Sequence, residues 1–272
     1  MDEVIIKKVS EKVKKFGVAT IQNCLNLTNL ELIDRTIAEV KTESVGKGDY
    51  RGVYPIGLKS NLIKIIKFEF NKIRKVLILK KIAEELKLRQ IAEKILNTNV
   101  QLNMIDSYYS EKSDKSIIDW HNDLAYGGSL NFKEHSLNKR GIKFFFYMTD
   151  VQSSNGCLAY IPYSHHVVKA LALLIRDKKV EYKPYWQLED LRSQVLKSPT
   201  KDLIENSIGV EKLNIFLNNS KFIEEQKKDT FEFDLQMNKG SAVIFDESGV
   251  HRGSMPSKNS RLVLRFFYRK KI

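Results

Sequence analysis

The sequence predicts a mainly β domain, a sandwich or barrel, with helices flanking it on the N-terminal side and inserted within it. Three observations predict this. From residue 100 onward the chain carries short segments rich in β-branched and aromatic residues, bounded by turn formers, which is the pattern of a sandwich or barrel. Over residues 60–96 apolar residues recur at three- and four-residue spacing, the period of a helix. Residues 166–228 then interrupt the β pattern with helical and irregular signals. A chain of 272 residues can bury a large core as one domain. No repeat or low-complexity linker divides it. We therefore expect a single domain over 1–272, with 1–99 a mostly helical flank, 100–165 and 240–272 the barrel core, and 166–228 a lid or else a helical buttress on the outside of the barrel.

The elements follow in chain order. Phe16-Gly17-Val18-Ala19-Thr20-Ile21 reads as a short strand. Thr28, with Glu31 three residues on, has the capping-box spacing ahead of a periodic run through Leu30, Ile33, Ile37 and Val40. Residues 43–57 are crowded with glycine, proline and aspartate and read as a loop. Ile63, Ile66, Phe70, Ile73 and Leu77 form one helical stripe, and Ile82, Leu86, Ile91 and Ile95 a second; both are expected to pack on the core. Strands are expected at 100–109, 142–148, 157–161, 241–245 and 262–268. Long insertions such as 166–228 often cover a site, and Tyr182, Tyr185 and Trp186 with nearby lysines would suit an apolar substrate with an acidic end.

Composition narrows the class. Hydrophobic content of 42% and charged content of 29% are those of a soluble globular protein. No apolar run is long enough to span a bilayer, and the N-terminal residues lack the apolar core of a signal peptide. Two cysteines, Cys24 and Cys157, make no disulfide framework, so a reducing cytoplasm is expected. The net charge of +13 suits an anionic partner. It is equally the outcome of AT-rich codons, which favour the Lys, Ile and Asn abundant here. The lysines are scattered between residues 7 and 271 rather than clustered, which argues against nucleic acid.

The chemistry-bearing residues are His121-Asn122-Asp123, a distant His251-Arg252-Gly253, and Arg261. In an extended segment residues i and i+2 point the same way, so His121 and Asp123 can reach one metal. Two histidines and a carboxylate on one face leave the other face open, as in non-haem Fe(II) oxygenases. An arginine just beyond the second histidine suits an anionic co-substrate, because guanidinium pairs bidentately with carboxylate. On the last strand Arg261, Val263, Arg265 and Phe267 share one face, and Leu262, Leu264, Phe266 and Tyr268 the other. Both faces are largely apolar, so the strand is covered on both and the two arginines need anionic partners. They lie about 13 Å apart at ~3.3 Å per residue, too far to hold one small carboxylate. Arg265 is therefore read either as a salt-bridge partner or as a substrate residue.

Four segments in order give a family resemblance: Phe16-Gly17-Val18 with the helix that follows, Trp120-His121-Asn122-Asp123, Asn155-Gly156-Cys157-Leu158-Ala159-Tyr160-Ile161-Pro162-Tyr163-Ser164-His165, and His251-Arg252-Gly253 through Ser260-Arg261. The chain resembles the phytanoyl-CoA dioxygenase family of Fe(II)/2-oxoglutarate oxygenases. The resemblance implies a double-stranded β-helix, a cupin-like jelly roll, with His121, Asp123 and His251 as iron ligands. It implies Arg261 as the partner of the distal carboxylate of 2-oxoglutarate. It also implies that O₂ and 2-oxoglutarate are consumed, with succinate and CO₂ released and a C–H bond of a small organic substrate hydroxylated; the basic charge of the chain suits an anionic substrate. Halogenating relatives lack the carboxylate ligand; Asp123 is present. By position Gln101, Asn103, Ile105 and Ser107 share a strand face and resemble residues that touch the co-substrate, Asn103 and Ser107 above all; the alternative for them is ordinary hydrogen bonding within the sheet. Where the family has glycine before Ser-His, this chain has Tyr163, which disfavours a left-handed turn and would set a large side chain at the substrate pocket. His165 matches the family's turn histidine; His135 and His166 match no motif and read as loop residues. Two rival readings are a cupin-like lyase or isomerase, which would not need Arg261, and a non-catalytic anion- or nucleic-acid-binding protein, which would tolerate loss of His121 and Asp123.

Overall fold

Two antiparallel sheets pack face to face in the computed structural model, which describes residues 1–43, 49–54, 70–125, 140–227 and 230–271. The six-stranded sheet joins β1 (Val18–Ile21), β2 (Asp49–Tyr54), β3 (Val100–Ser110), β5 (Gly141–Tyr147), β8 (Ala242–Asp246) and β10 (Arg261–Lys270) in the order β1-β8-β5-β10-β3-β2. The four-stranded sheet joins β4 (Ile118–His121), β6 (Leu158–Tyr160), β7 (Asp234–Leu235) and β9 (His251–Gly253) in the order β4-β9-β6-β7. This is the jelly-roll, cupin-like architecture. Tyr147, Val151, Leu158, Tyr160, Val243 and Phe245 fill part of the space between the sheets.

Helices cover both outer faces. α1 (Glu3–Phe16) begins where the Asp2 carboxylate accepts the Ile5 N–H (2.8 Å) and ends at Gly17, whose φ of 86° is left-handed. A Cβ at Gly17 would also meet the Tyr160 hydroxyl at 2.2 Å, so glycine is required twice over. α2 (Leu27–Thr36) is capped by Asn26 rather than by Thr28: the Asn26 side chain accepts from the Asn29 N–H at 2.8 Å. α3 (Ala38–Glu43) follows after a break at Ile37. α4 (Phe70–Glu85) and α5 (Leu88–Leu96) complete this layer. Its core joins Ile6, Val13, Ile33 and Ile91 to Ile105, Phe144, Leu264 and Phe266 on the outer face of the large sheet.

The stripe expected on α4 is turned: Leu77 is exposed, while Val76, Leu79, Ile82 and Ala83 are buried. Ile63 and Ile66 lie outside the described residues. The N-terminal flank also supplies two strands. β2 arises inside the stretch expected to be a loop, because pairing with β3, Arg51 opposite Tyr108, satisfies an edge strand that tolerates Gly52.

On the other side, α6 (Ser164–Arg176), α7 (Leu188–Val195), α8 (Thr200–Ile208) and α9 (Val210–Glu225) form the second helical layer. Val167, Leu171, Leu188, Leu191, Phe216 and Ile223 bury against Trp120, Ala159, Ile161 and Val250 of the small sheet. Residues 166–227 are thus largely a packed layer, with an extended stretch over 177–187 that runs toward β4. Among the described residues no helix is long and apolar enough to cross a membrane.

Candidate metal centre

His121 ends β4 and His251 begins β9, and the two are direct cross-strand partners. Their rings lie 4.4 Å apart between centroids. Each is oriented by its own strand: Nδ1 of His121 is 2.6 Å from the Asp119 carbonyl and Nδ1 of His251 is 2.9 Å from the Gly249 carbonyl. Only an N–H can face a carbonyl, so each Nδ1 carries the proton and each Nε2 presents a lone pair. Both Nε2 atoms face Asp123, at 3.8 Å from Oδ1 for His121 and 3.1 Å from Oδ2 for His251. Potential ligand atoms of the three residues lie within 4.8 Å of one another. Oriented lone pairs, a carboxylate and a backbone carbonyl behind each imidazole fit a divalent metal with an open face.

Asp123 does not continue the strand of His121. It opens a single 3-10 turn (Asp123–Ala125), and its N–H donates to the Glu247 carbonyl at 3.1 Å. Asn122 makes that turn: it accepts the Ala125 N–H at 3.0 Å and donates to the Tyr185 carbonyl at 2.7 Å. The residues adjoining the ligands face outward, where the Arg252 guanidinium lies 4.9 Å from the centroid of the Trp120 ring. Ligand pair inside and Trp–Arg pair outside is the alternation of two adjacent strands.

Burial and the nearby His251 push the His121 imidazole down to about 4, so it is neutral at physiological pH and available to a metal. Burial would raise the Asp123 carboxyl. The Lys143 ammonium outweighs it and holds the group well below the usual carboxylate range. Lys143, on β5, bonds Asp123 Oδ2 directly. Glu247 lies beside it, pushed up to about 7 chiefly by burial, with Arg269 3.6 Å away. Neither Lys143 nor Glu247 carries a sequence signal. Only the pairing of β5 with β8 and the turn after β8 bring them to the metal ligands.

A cavity of about 360 Å³ opens between the sheets at this point. Arg261 and Arg265 both line it. Arg261 is buried and donates to the Gly156 carbonyl (3.3 Å) and Ser110 Oγ (3.4 Å). Gly156, at φ 81°, lets the arginine stem lie against it, since a Cβ there would sit 3.2 Å from Arg261 Cδ. Arg265 is the salt-bridge partner of Asp106, with Nε to Oδ1 at 2.7 Å and Nη2 to Oδ2 at 2.5 Å, and its side chain also lines the cavity. Trp186 reaches the cavity from the stretch before α7, its ring 5.6 Å from that of His121.

Three other expected residues lie elsewhere. Ser107 is on the opposite face of β3, bonded to the Tyr54 hydroxyl at 3.0 Å. Asn103 is exposed at a bulge, where Phe267 pairs with Met104 and Tyr268 with Leu102. The bulge shifts the alternation, so Met104, Asp106, Tyr108 and Ser110 face inward instead. Tyr163 adopts the left-handed turn after all, at φ 65°, and packs edge-on against Phe16 at 5.4 Å, away from the cavity. His165 Nε2 lies 3.2 Å from the Lys14 carbonyl, and His166 sits in the first turn of α6 rather than in a loop. His135 lies outside the described residues.

Comparison with known proteins agrees with this geometry. No curated protein sequence matches the chain. Solved structures do match in fold. The non-haem α-ketoglutarate-dependent carbocyclase SnoK from nogalamycin biosynthesis has a TM-score of 0.58 at 14% identity, over 97% of this chain and 83% of that one. HygX from Streptomyces hygroscopicus with nickel, 2-oxoglutarate and hygromycin B has a TM-score of 0.54 at 12% identity, over 98% and 88%. The epimerase SnoN with Fe3+, α-ketoglutarate and nogalamycin RO has a TM-score of 0.53 at 10% identity, over 99% and 85%. The sequence model of phytanoyl-CoA dioxygenase matches residues 13–262, a span holding both histidines, Asp123 and Arg261: the chain belongs to the phytanoyl-CoA dioxygenase family of iron- and 2-oxoglutarate-dependent enzymes.

Proposed function

We propose that the protein is an Fe(II)/2-oxoglutarate-dependent oxygenase that hydroxylates a C–H bond of a small, anionic organic substrate, with release of succinate and CO₂. The observation that carries this reading is the pairing of two orientation-locked Nε2 atoms and Asp123 with a buried arginine, Arg261, in one cavity. A metal-dependent lyase or isomerase that did without 2-oxoglutarate would have no use for that arginine.

Each residue has a distinct task. His121, Asp123 and His251 hold the metal, and Arg261 orients the distal carboxylate of the co-substrate. When bound, the metal would activate O₂ for C–H oxidation, with 2-oxoglutarate as the two-electron co-reductant. Lys143 holds Oδ2 of Asp123 and fixes the direction of the carboxylate. Phe145, Leu158, Phe267 and Trp186 wall the cavity and keep water from the reacting carbon. Trp186 touches the substrate and contributes to its selection. The free thiols Cys24 and Cys157 suit a reducing cytoplasm.

The test is direct. Purified protein with Fe(II), O₂ and 2-oxoglutarate should form succinate, slowly without substrate and faster with an acidic substrate. Product mass then separates hydroxylation, a gain of one oxygen, from epimerisation or cyclisation. Absence of succinate under all conditions refutes the reading.

A further inference from the structure

The cavity carries more positive charge than the proposed cofactors take up. With a dication on the triad and 2-oxoglutarate on Arg261, the charges of that set cancel, because Asp123 and the two co-substrate carboxylates balance the metal and the guanidinium. Two clusters remain among the described residues. Beside the triad, Lys143 and Arg269 flank Glu247. Farther along, Arg51 and Arg265 share Asp106. Each has two cations to one carboxylate.

The second cluster is built as a receptor. Asp106 is fully buried, and Arg265 already engages both of its oxygens. Arg51 adds a second guanidinium, Nε at 2.8 Å and Nη2 at 2.6 Å from Oδ2. Both guanidinium groups lie against the Tyr108 ring, 4.9 Å (Arg265) and 5.4 Å (Arg51) from its centroid. One carboxylate neutralises one guanidinium, so Arg51 exceeds what Asp106 needs. It also exceeds what an edge strand needs. A charge that blocks edge pairing points to solvent, whereas Arg51, 42% exposed, lines the cavity. It stands on β2 at the edge of the large sheet, and the half-exposed Ile118 stands on β4 at the edge of the small one. The cavity opens between these two edges. Trp186, Met104 and Ile118 supply apolar lining between the rim and the triad.

We propose that the substrate carries a carboxylate or phosphate group that docks on Arg51 and Arg265 over Tyr108, with its apolar part crossing the cavity to the triad. This rests on the oxygenase reading for the charge assigned to the cofactors. A planar guanidinium at a half-exposed rim can pair bidentately with either oxyanion at small desolvation cost.

The experiment uses anaerobic protein loaded with Fe(II) and 2-oxoglutarate, whose chelate has a visible charge-transfer absorption. Inorganic phosphate and acetate are titrated in separate arms, with chloride matching ionic strength, and both the chelate band and Tm are followed. Saturable binding of one anion beyond chloride is expected. Phosphate preference identifies a phosphorylated substrate and acetate preference a carboxylic acid. Arg51→Gln should weaken that binding about tenfold or more, and Arg51→Lys, which keeps the charge without the fork, should weaken it less. Arg265 still holds Asp106 in both variants, so the fold is retained, and unliganded Tm checks this. A wild-type protein that responds to neither anion overturns the proposal, as does Arg51→Gln responding as wild type does. If no 2-oxoglutarate chelate forms, the oxygenase reading fails instead. The same anion titrations on metal-free protein, read by Tm, then decide the docking site alone.

Discussion

Arg261→Ala should raise the dissociation constant for 2-oxoglutarate roughly 10- to 150-fold while leaving metal affinity nearly unchanged. The magnitude comes from the site. Arg261 is 5% exposed, and its bonds to the Gly156 carbonyl and the Ser110 hydroxyl are long and go to neutral oxygens. A carboxylate held there gains charge-assisted hydrogen bonds worth about 1.5–3 kcal/mol, and each ~1.4 kcal/mol is tenfold in affinity. Arg265→Ala is the control. Both guanidinium groups line one cavity, but Arg265 is committed to Asp106, which is wholly buried. Its loss should leave 2-oxoglutarate affinity near wild type and cost about 3 kcal/mol of stability, the low end for breaking a buried pair because Arg51 stays on the same carboxylate. The assay is anaerobic titration of the Fe(II) protein with 2-oxoglutarate, beside urea unfolding of both variants. If Arg265→Ala lost co-substrate affinity and Arg261→Ala did not, the assignment of Arg261 would be refuted.

Asp123→Ala should lose turnover altogether, because the metal loses its only anionic protein ligand; full turnover in this variant would end the triad assignment. Trp186→Ala should change the KM or product yield for the substrate while 2-oxoglutarate binds as before, and unchanged selectivity across a substrate panel would remove Trp186 from the site. The histidine chemistry predicts a pH signature. Burial and His251 hold His121 near 4 instead of 6.5, so the unfolded chain takes up the proton first and this residue's contribution to stability falls as pH drops from about 6.5 toward 4. Glu247, raised by burial from 4.5 to about 7, acts in the opposite sense over its own range. Imidazole NMR of the metal-free protein isolates the histidine: a midpoint near 4 is expected, and one near 6.5 contradicts a buried neutral ring.

Much of this site was readable from local pattern. The strand of Arg261 and Arg265 shows its alternation in the sequence, and the structure covers both of its faces as expected: Leu262, Leu264 and Phe266 under the helices, Arg261, Arg265 and Phe267 in the cavity. What misled was also local. Thr28 and Glu31 have capping-box spacing, yet Asn26 caps the helix, because a cap is chosen by where the backbone turns. Tyr163 takes a left-handed φ that disfavours tyrosine, with Phe16 packed on its ring and its N–H bonded to the Phe16 carbonyl.

The sequence alone determined side-chain chemistry and period: which residues could ligate a metal, which segments alternate with period two, which helices carry an apolar stripe. These depend on neighbours along the chain. Tertiary structure decided parity and partnership. A single extra residue at the Asn103 bulge reverses which face of β3 meets the cavity, and so replaces Ser107 with Asp106 and Tyr108. The loop-like composition around Gly52 becomes an edge strand only because β3 offers it a ladder, and that pairing sets Arg51 at the rim. Lys143 and Glu247 reach Asp123 through strand pairing and a turn made far from it in the chain. Hydrogen-bond ladders and buried charge pairs are settled between distant segments, where desolvation forces each charge to find a partner, and no local pattern records which partner it finds.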